Sequence, residues 1–91
     1  GQAQPSGAAA INAAVLYAEQ GCATCHGRNG KPVLKQSPDF TDPAWQKKKG
    51  DDELFLAIKN GKKPLMQGYG AKLSDEQIRV LVAHTRSFAK Q

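Results

Sequence analysis

Both cysteines of the chain, and one of its two histidines, lie in the five residues Cys22-Ala23-Thr24-Cys25-His26, with Gly27 directly after. No other feature restricts the fold as tightly, because these three side chains must act together on about one turn of backbone. A redox dithiol of the thioredoxin type follows a strand in a βαβ pattern, which this sequence lacks. Structural zinc takes four ligands. Here Cys22, Cys25 and His26 supply three, only the distant His84 or a carboxylate remains as a fourth, and adjacent Cys25 and His26 converge poorly on one small ion. Covalent haem attachment makes use of the same spacing: each thiol bonds one vinyl-derived carbon of the porphyrin, and His26 is then held beneath the iron.

Size points the same way. A chain of 91 residues is one domain whose protein-only core leaves a thin stability margin, so a bound group that supplies apolar surface is expected. The 40% apolar content and mean hydropathy of −0.55 describe a soluble chain, and no apolar run approaches the ~20 residues of a membrane span. The opening "GQAQPSGAAA" lacks the charged start and apolar stretch of a signal peptide, so it reads as a mature or trimmed chain whose precursor can still have been exported. A net charge of +5 favours negatively charged partners. Nucleic acid is disfavoured: aromatic residues are few, and the runs Lys47 to Lys49 and Lys62-Lys63 lie apart. An acidic protein fits better.

The Ala/Gly/Ser/Pro-rich residues 1–8 read as a flexible tail, leaving one domain over residues 9–91. A first helix is expected over about Ala9 to Gln20 on the recurrence of Ile11, Ala14, Val15 and Ala18, with Gly21 as its stop. From Gly27 to Gly50 turn formers dominate and no periodicity emerges, a long loop that implies something to wrap. A second helix starts near Asp51, with Asp51, Asp52 and Glu53 at its positive end, Leu54, Ala57 and Ile58 on one face, and Asn60-Gly61 closing it. In the last helix Ser74 and Gln77 form a capping box, Leu73 and Ile78 a hydrophobic staple, and Ile78, Leu81, Val82, Thr85 and Phe88 one stripe. The fold class is all-α, three main helices joined by irregular segments.

If His26 fills one axial position of an iron, the candidates for the other are Met66, His84, a lysine or an open site. Met66, the sole methionine, lies in the irregular "GKKPLMQGYG", which can cross to the far face of a haem. Its alternative use is to fill a core gap. His84 lies among core-stripe positions of the last helix, which favours packing over ligation, so Met66 is the preferred ligand.

Tyr17, "CATCHG", "SPDF", "DELFLAIKNG", "MQGYG" and "LSDEQIRVLVAHTRSF", in this order and spacing, resemble the small bacterial class I monohaem cytochromes c over nearly the whole chain after the tail. The resemblance implies the cytochrome c fold, with loops wrapped around one covalently bound haem c. It implies thioether bonds from Cys22 and Cys25, iron ligation by His26 and Met66, and a hydrogen bond from the His26 imidazole to the Pro38 backbone carbonyl. It also places Tyr69 close to the haem, and Trp45 near a haem propionate or anchoring its own loop. Three positions depart from the family: Gln67 follows the methionine where many relatives have proline, and at the crossing of the first and last helices His84 replaces an aromatic and Ala13 a glycine.

The function so implied is a soluble, exported, monomeric electron carrier, periplasmic in a bacterium and not an enzyme. It would pass one electron from a respiratory donor to an acceptor such as a terminal oxidase. A thioether ligand raises the reduction potential, and filling both axial positions leaves no site for substrate. Lys47, Lys48, Lys49, Lys62, Lys63 and Lys72 are then candidates for steering an acidic oxidase or reductase onto the haem edge. The alternatives are a haem domain or subunit of a larger oxidase or dehydrogenase, and a ligand-binding haem sensor if Met66 leaves the iron.

Overall fold

A computed structural model describes residues 12–62 and 66–89. The tail expected over 1–8, the first residues of the expected first helix, Lys63 and residues 90–91 lie outside that range. All regular elements among the described residues are helices: α1 (Ala13–Glu19), α2 (Cys22–His26), α3 (Pro43–Lys48), α4 (Asp51–Asn60) and α5 (Asp75–Ser87). The one β-type pairing among them is an isolated antiparallel bridge between Lys62 and Met66.

Local chemistry sets most of the helix starts. The Asn12 side chain accepts from the Val15 amide at 3.1 Å and caps α1. At α5 the expected box closes in both directions, Gln77 N to Ser74 Oγ at 3.1 Å and Ser74 N to Gln77 Oε1 at 2.8 Å. Asp51, Asp52 and Glu53 occupy the first turn of α4, where carboxylates meet the positive end of the helix.

Two expectations are corrected. The buried face of α1 is not the one read from Ala14, Val15 and Ala18, which are exposed; Ile11 lies outside the described residues. Leu16 and Tyr17 are buried instead, with Ala13 packed against the same cluster. Both stripes have helical spacing, and the one carrying the larger side chains wins because burial stabilises in proportion to apolar area. The segment 27–50 also contains a helix. Asp42 caps α3 by accepting from the Ala44 amide at 3.0 Å, and Pro43 stands at the first helical position. Six residues are too few for a periodic signal.

α5 is the element against which α1 and α4 pack. Its buried residues are Ile78, Val80, Leu81, Val82 and Thr85, with the Thr85 hydroxyl donating to the Leu81 carbonyl at 3.0 Å. Of the described side chains only Ile78 and Leu81 are less than 2% exposed. At roughly 1.5–3 kcal/mol for each such burial, this deep core is small against the entropy of ordering the chain.

Polar ties carry part of the load between α3 and α5. The buried Gln46 amide donates from Nε2 to the carbonyls of Phe40 (2.7 Å) and Thr85 (2.8 Å). Arg86 donates to Gln46 Oε1 at 2.9 Å, to the Gln46 and Lys49 carbonyls, and to Asp51 Oδ1 at 2.9 Å. One guanidinium thus joins the last helix to the end of α3 and the start of α4. Charge-assisted bonds of this kind are the stronger ones, so Arg86→Leu should lower the unfolding free energy of the haem-loaded protein by about 2 kcal/mol. Asp51→Asn, which alters only the exposed partner, should lower it by less than half as much. Guanidinium unfolding of both variants checks the order.

Candidate functional site

The motif turn is held at both ends. Gly21, with φ of 80°, leads from α1 into α2. At the far end Gly27 has φ of 79°, which disfavours other residues, and a Cβ there would overlap the Lys31 carbonyl oxygen. The Gly27 carbonyl accepts the Tyr17 hydroxyl at 2.8 Å in a buried hydrogen bond. Burial raises the pKa of that hydroxyl, with the Cys22 sulfur adding to the effect, so it stays a donor. The Cys25 carbonyl accepts from both Val33 N (2.9 Å) and Leu34 N (3.0 Å), which brings the following loop back over the turn.

Cys22 and Cys25 are unpaired half-buried thiols, and burial pushes the Cys22 thiol up. The His26 ring stacks on Phe40, with centroids 4.6 Å apart and planes 21° off parallel. Burial lowers its pKa, which favours the neutral imidazole that a metal requires. Its Nδ1 is buried with no hydrogen-bond partner. Pro38 lines the same cavity, but the bond expected from the imidazole to its carbonyl is not formed.

Met66 arrives by a different device. Its amide and carbonyl pair with the carbonyl and amide of Lys62, both at 2.8 Å. Residues 66–68 lie close against the end of α4: Gly61 has φ of 82°, and a Cβ on it would collide with the Met66 carbonyl and the Gly68 amide. Beyond Met66, Tyr69 N donates to the Ile58 carbonyl at 2.9 Å and Gly70 N to the Lys59 carbonyl at 3.0 Å.

These pieces meet at one cavity of about 710 Å³, within the ~300–1,000 Å³ usual for cofactor pockets. All seven residues singled out from the sequence line it: Cys22, Cys25, His26, Pro38, Trp45, Met66 and Tyr69. Leu34, Leu54, Ala57 and Ile58 add apolar wall. A haem c fits this lining: two free thiols on one turn, a neutral imidazole with an unspent buried nitrogen, and a thioether all open onto a largely apolar space. His84 does not line the cavity. It forms an aromatic cluster at the crossing of α1 and α5, 4.9 Å from Tyr17 and 4.8 Å from Phe88, while Tyr17 and Phe88 are 5.5 Å apart. Burial lowers its pKa.

Sequence reasoning missed Phe40, the residue that orients His26. Its only local signal was the turn chemistry of "SPDF". There Asp39 Oδ1 accepts from Thr41 N (2.9 Å) and Thr41 Oγ1 (2.6 Å), and Oδ2 pairs with Lys31 Nζ at 3.0 Å.

Residues 8–84 match the family described as cytochrome c oxidase, cbb3-type, subunit III. The chain is 32% identical over 80 residues to the cbb3-type cytochrome c oxidase subunit FixP of Azorhizobium caulinodans, covering 87% of this chain and 27% of that one. To the CcoP subunit of Rubrivivax gelatinosus it is 37% identical over 73 residues, covering 76% and 23%. It thus spans about a quarter of the length of these curated relatives. Among solved structures, the KustC0563 c-type cytochrome superposes with a TM-score of 0.82 at 33% identity, over 88% of this chain and all of that one.

The Asp39 turn predicts an acid dependence. Hydrogen bonds from Thr41 and Lys31 hold the Asp39 carboxyl at about 2, below its ordinary 3.8. Its contribution to stability is therefore complete above about pH 4 and is lost as the pH falls toward 2. Asp39→Asn should lower the unfolding midpoint of the haem-loaded protein at pH 6, and the gap to wild type should narrow at pH 2.5; denaturant titrations at the two values measure it.

Proposed function

The chain belongs to the family of cytochrome c oxidase, cbb3-type, subunit III, cytochromes c that transfer electrons on a c-type haem, and from that premise we propose how its own residues hold and use the group. One haem c per chain would be held by thioether bonds from Cys22 and Cys25, with His26 and Met66 as the residues that would ligate its iron. The observation that supports this most directly is that all four side chains line the same cavity. The bound group supplies a one-electron couple; the protein supplies retention, ligand geometry and a dry wall. Thioether formation prevents loss of the haem whatever its oxidation state. Burial keeps His26 neutral and ready to ligate, and Phe40 fixes the plane of its ring. Met66 raises the potential relative to a nitrogen ligand, and the apolar wall raises it further by disfavouring the extra charge of the oxidised state.

With His26 and Met66 both given to the iron, the group would supply electron transfer only, and the molecule would be a carrier and not itself a catalyst. It is a single haem domain over residues 9–91 working outside the cytoplasm, where thioether attachment takes place in bacteria. Lys49 and Lys62 at the cavity, with the exposed Lys47, Lys48 and Lys72, would meet an acidic surface of an oxidase or reductase; Lys63 belongs to the same proposed set. In a second reading the chain is the haem domain of a larger oxidase subunit. The relatives favour it, since the chain covers only 21% to 27% of each.

Three measurements test these readings. After extraction with acidified acetone the pigment should stay with the polypeptide, at one haem per chain; pigment released into the solvent refutes thioether attachment. Reduced protein at neutral pH should resist carbon monoxide, whereas Met66→Ala should bind it. Electron transfer to an acidic partner should slow as ionic strength rises from about 10 to 200 mM, where screening shortens from tens of ångströms to under ten. A flat profile removes the lysines from docking.

A further inference from the structure

The Met66 segment has a tie that its backbone pairing does not explain. The Tyr69 hydroxyl donates to the Gln20 carbonyl at 2.8 Å, across 49 residues of sequence. Gln20 ends α1 and stands two residues before Cys22. The bond therefore joins the segment that presents Met66 to the segment that presents both thiols and His26. Tyr69 is 5% exposed, and its backbone carbonyl accepts the amides of Lys72 (3.0 Å) and Leu73 (2.9 Å), so the residue that makes the tie is buried and its backbone held. Aromatic packing needs only the ring. The hydroxyl adds a directed bond.

We propose that the Tyr69 hydroxyl, through its bond to the Gln20 carbonyl, is the clamp that keeps the Met66 segment closed over the iron. This rests on Met66 being an axial ligand. Tyr69 follows Met66 by three positions, a span of at most roughly 10 Å, so a fixed Tyr69 confines the thioether to a short arc. On the other side the Lys62 bridge confines it again. With the clamp made, an outside ligand reaches iron only in the small fraction of molecules whose Met66 segment has opened. Removing a bond that exists only in the closed state raises that fraction and tightens the apparent affinity of the competitor in proportion. Tyr69 is a positioning residue: it acts on iron through Met66.

The test is imidazole titration of the ferric, haem-loaded protein, followed by visible absorption, in wild type, Tyr69→Phe, Met66→Ala and Val82→Ala. Tyr69→Phe keeps the ring and should bind imidazole on the order of tenfold more tightly than wild type, the factor expected for loss of the part-buried bond to Gln20, the Gln67 Nε2 contact to the same hydroxyl at 3.4 Å being the weaker of the two. Val82→Ala lowers overall stability on the α5 face away from the cavity and should leave the affinity at the wild-type value, which separates local opening from general loosening. In Tyr69→Phe the Met66 amide, bonded to the Lys62 carbonyl, should exchange its hydrogen faster by a similar factor, a second readout that needs no competitor. If wild type and Tyr69→Phe are equally resistant while Met66→Ala binds readily, the clamp is refuted and methionine ligation stands. If wild type already binds as readily as Met66→Ala, methionine ligation fails, and the clamp with it.

Discussion

The buried hydrogen bond from the Tyr17 hydroxyl to the Gly27 carbonyl closes the motif turn from the side of α1. Adjacent cysteine and histidine can serve one haem only if the turn between them does not flex, since a small rotation there would swing the imidazole away from the thiols. Tyr17 meets that requirement with one side chain. Its hydroxyl holds the end of α2, and its ring lies in the cluster with His84 and Phe88, so the turn inherits the rigidity of the last helix. The aromatic contact at the helix crossing and the placement of the proposed haem-bonding residues are thus one arrangement.

The rest of the molecule follows from having a cavity where a larger domain would have a core. α4 turns Leu54, Ala57 and Ile58 toward it, and the deep core on α5 reduces to Ile78 and Leu81. Fewer buried side chains leave more of the work to polar ties. Arg86 and Gln46 supply these at one end, and the bridge at Lys62 and Met66 supplies them at the other. The Gln46 and Arg86 bonds join segments about 40 residues apart in sequence, and the bridge closes a short local loop.

Features that depend on neighbours in sequence were legible. The capping box at Ser74 and Gln77 and the acidic start of α4 are readable within a few residues, and both occur in the structure as read. Features settled by distant partners were not. The face that α1 buries is decided by α5, and the small residues of the competing stripe gave no sign of losing. α3 is announced by only Asp42 and Pro43, and its purpose, to bring Gln46 to the Thr85 carbonyl, spans 39 residues. Phe40 has no periodic context at all; only the fold shows it beneath His26. The resemblance supplied the set of cavity residues, but not the unpartnered state of the His26 Nδ1.

Gln46 has a further consequence, for how the molecule ages. Both protons of its amide are spent on carbonyl oxygens, and its own oxygen is taken by Arg86. Slow hydrolysis of that amide would set a carboxylate against two carbonyls, exchanging two attractions for two repulsions. A stored sample damaged in this way would lose the junction between loop and last helix while every residue facing the porphyrin was still chemically intact.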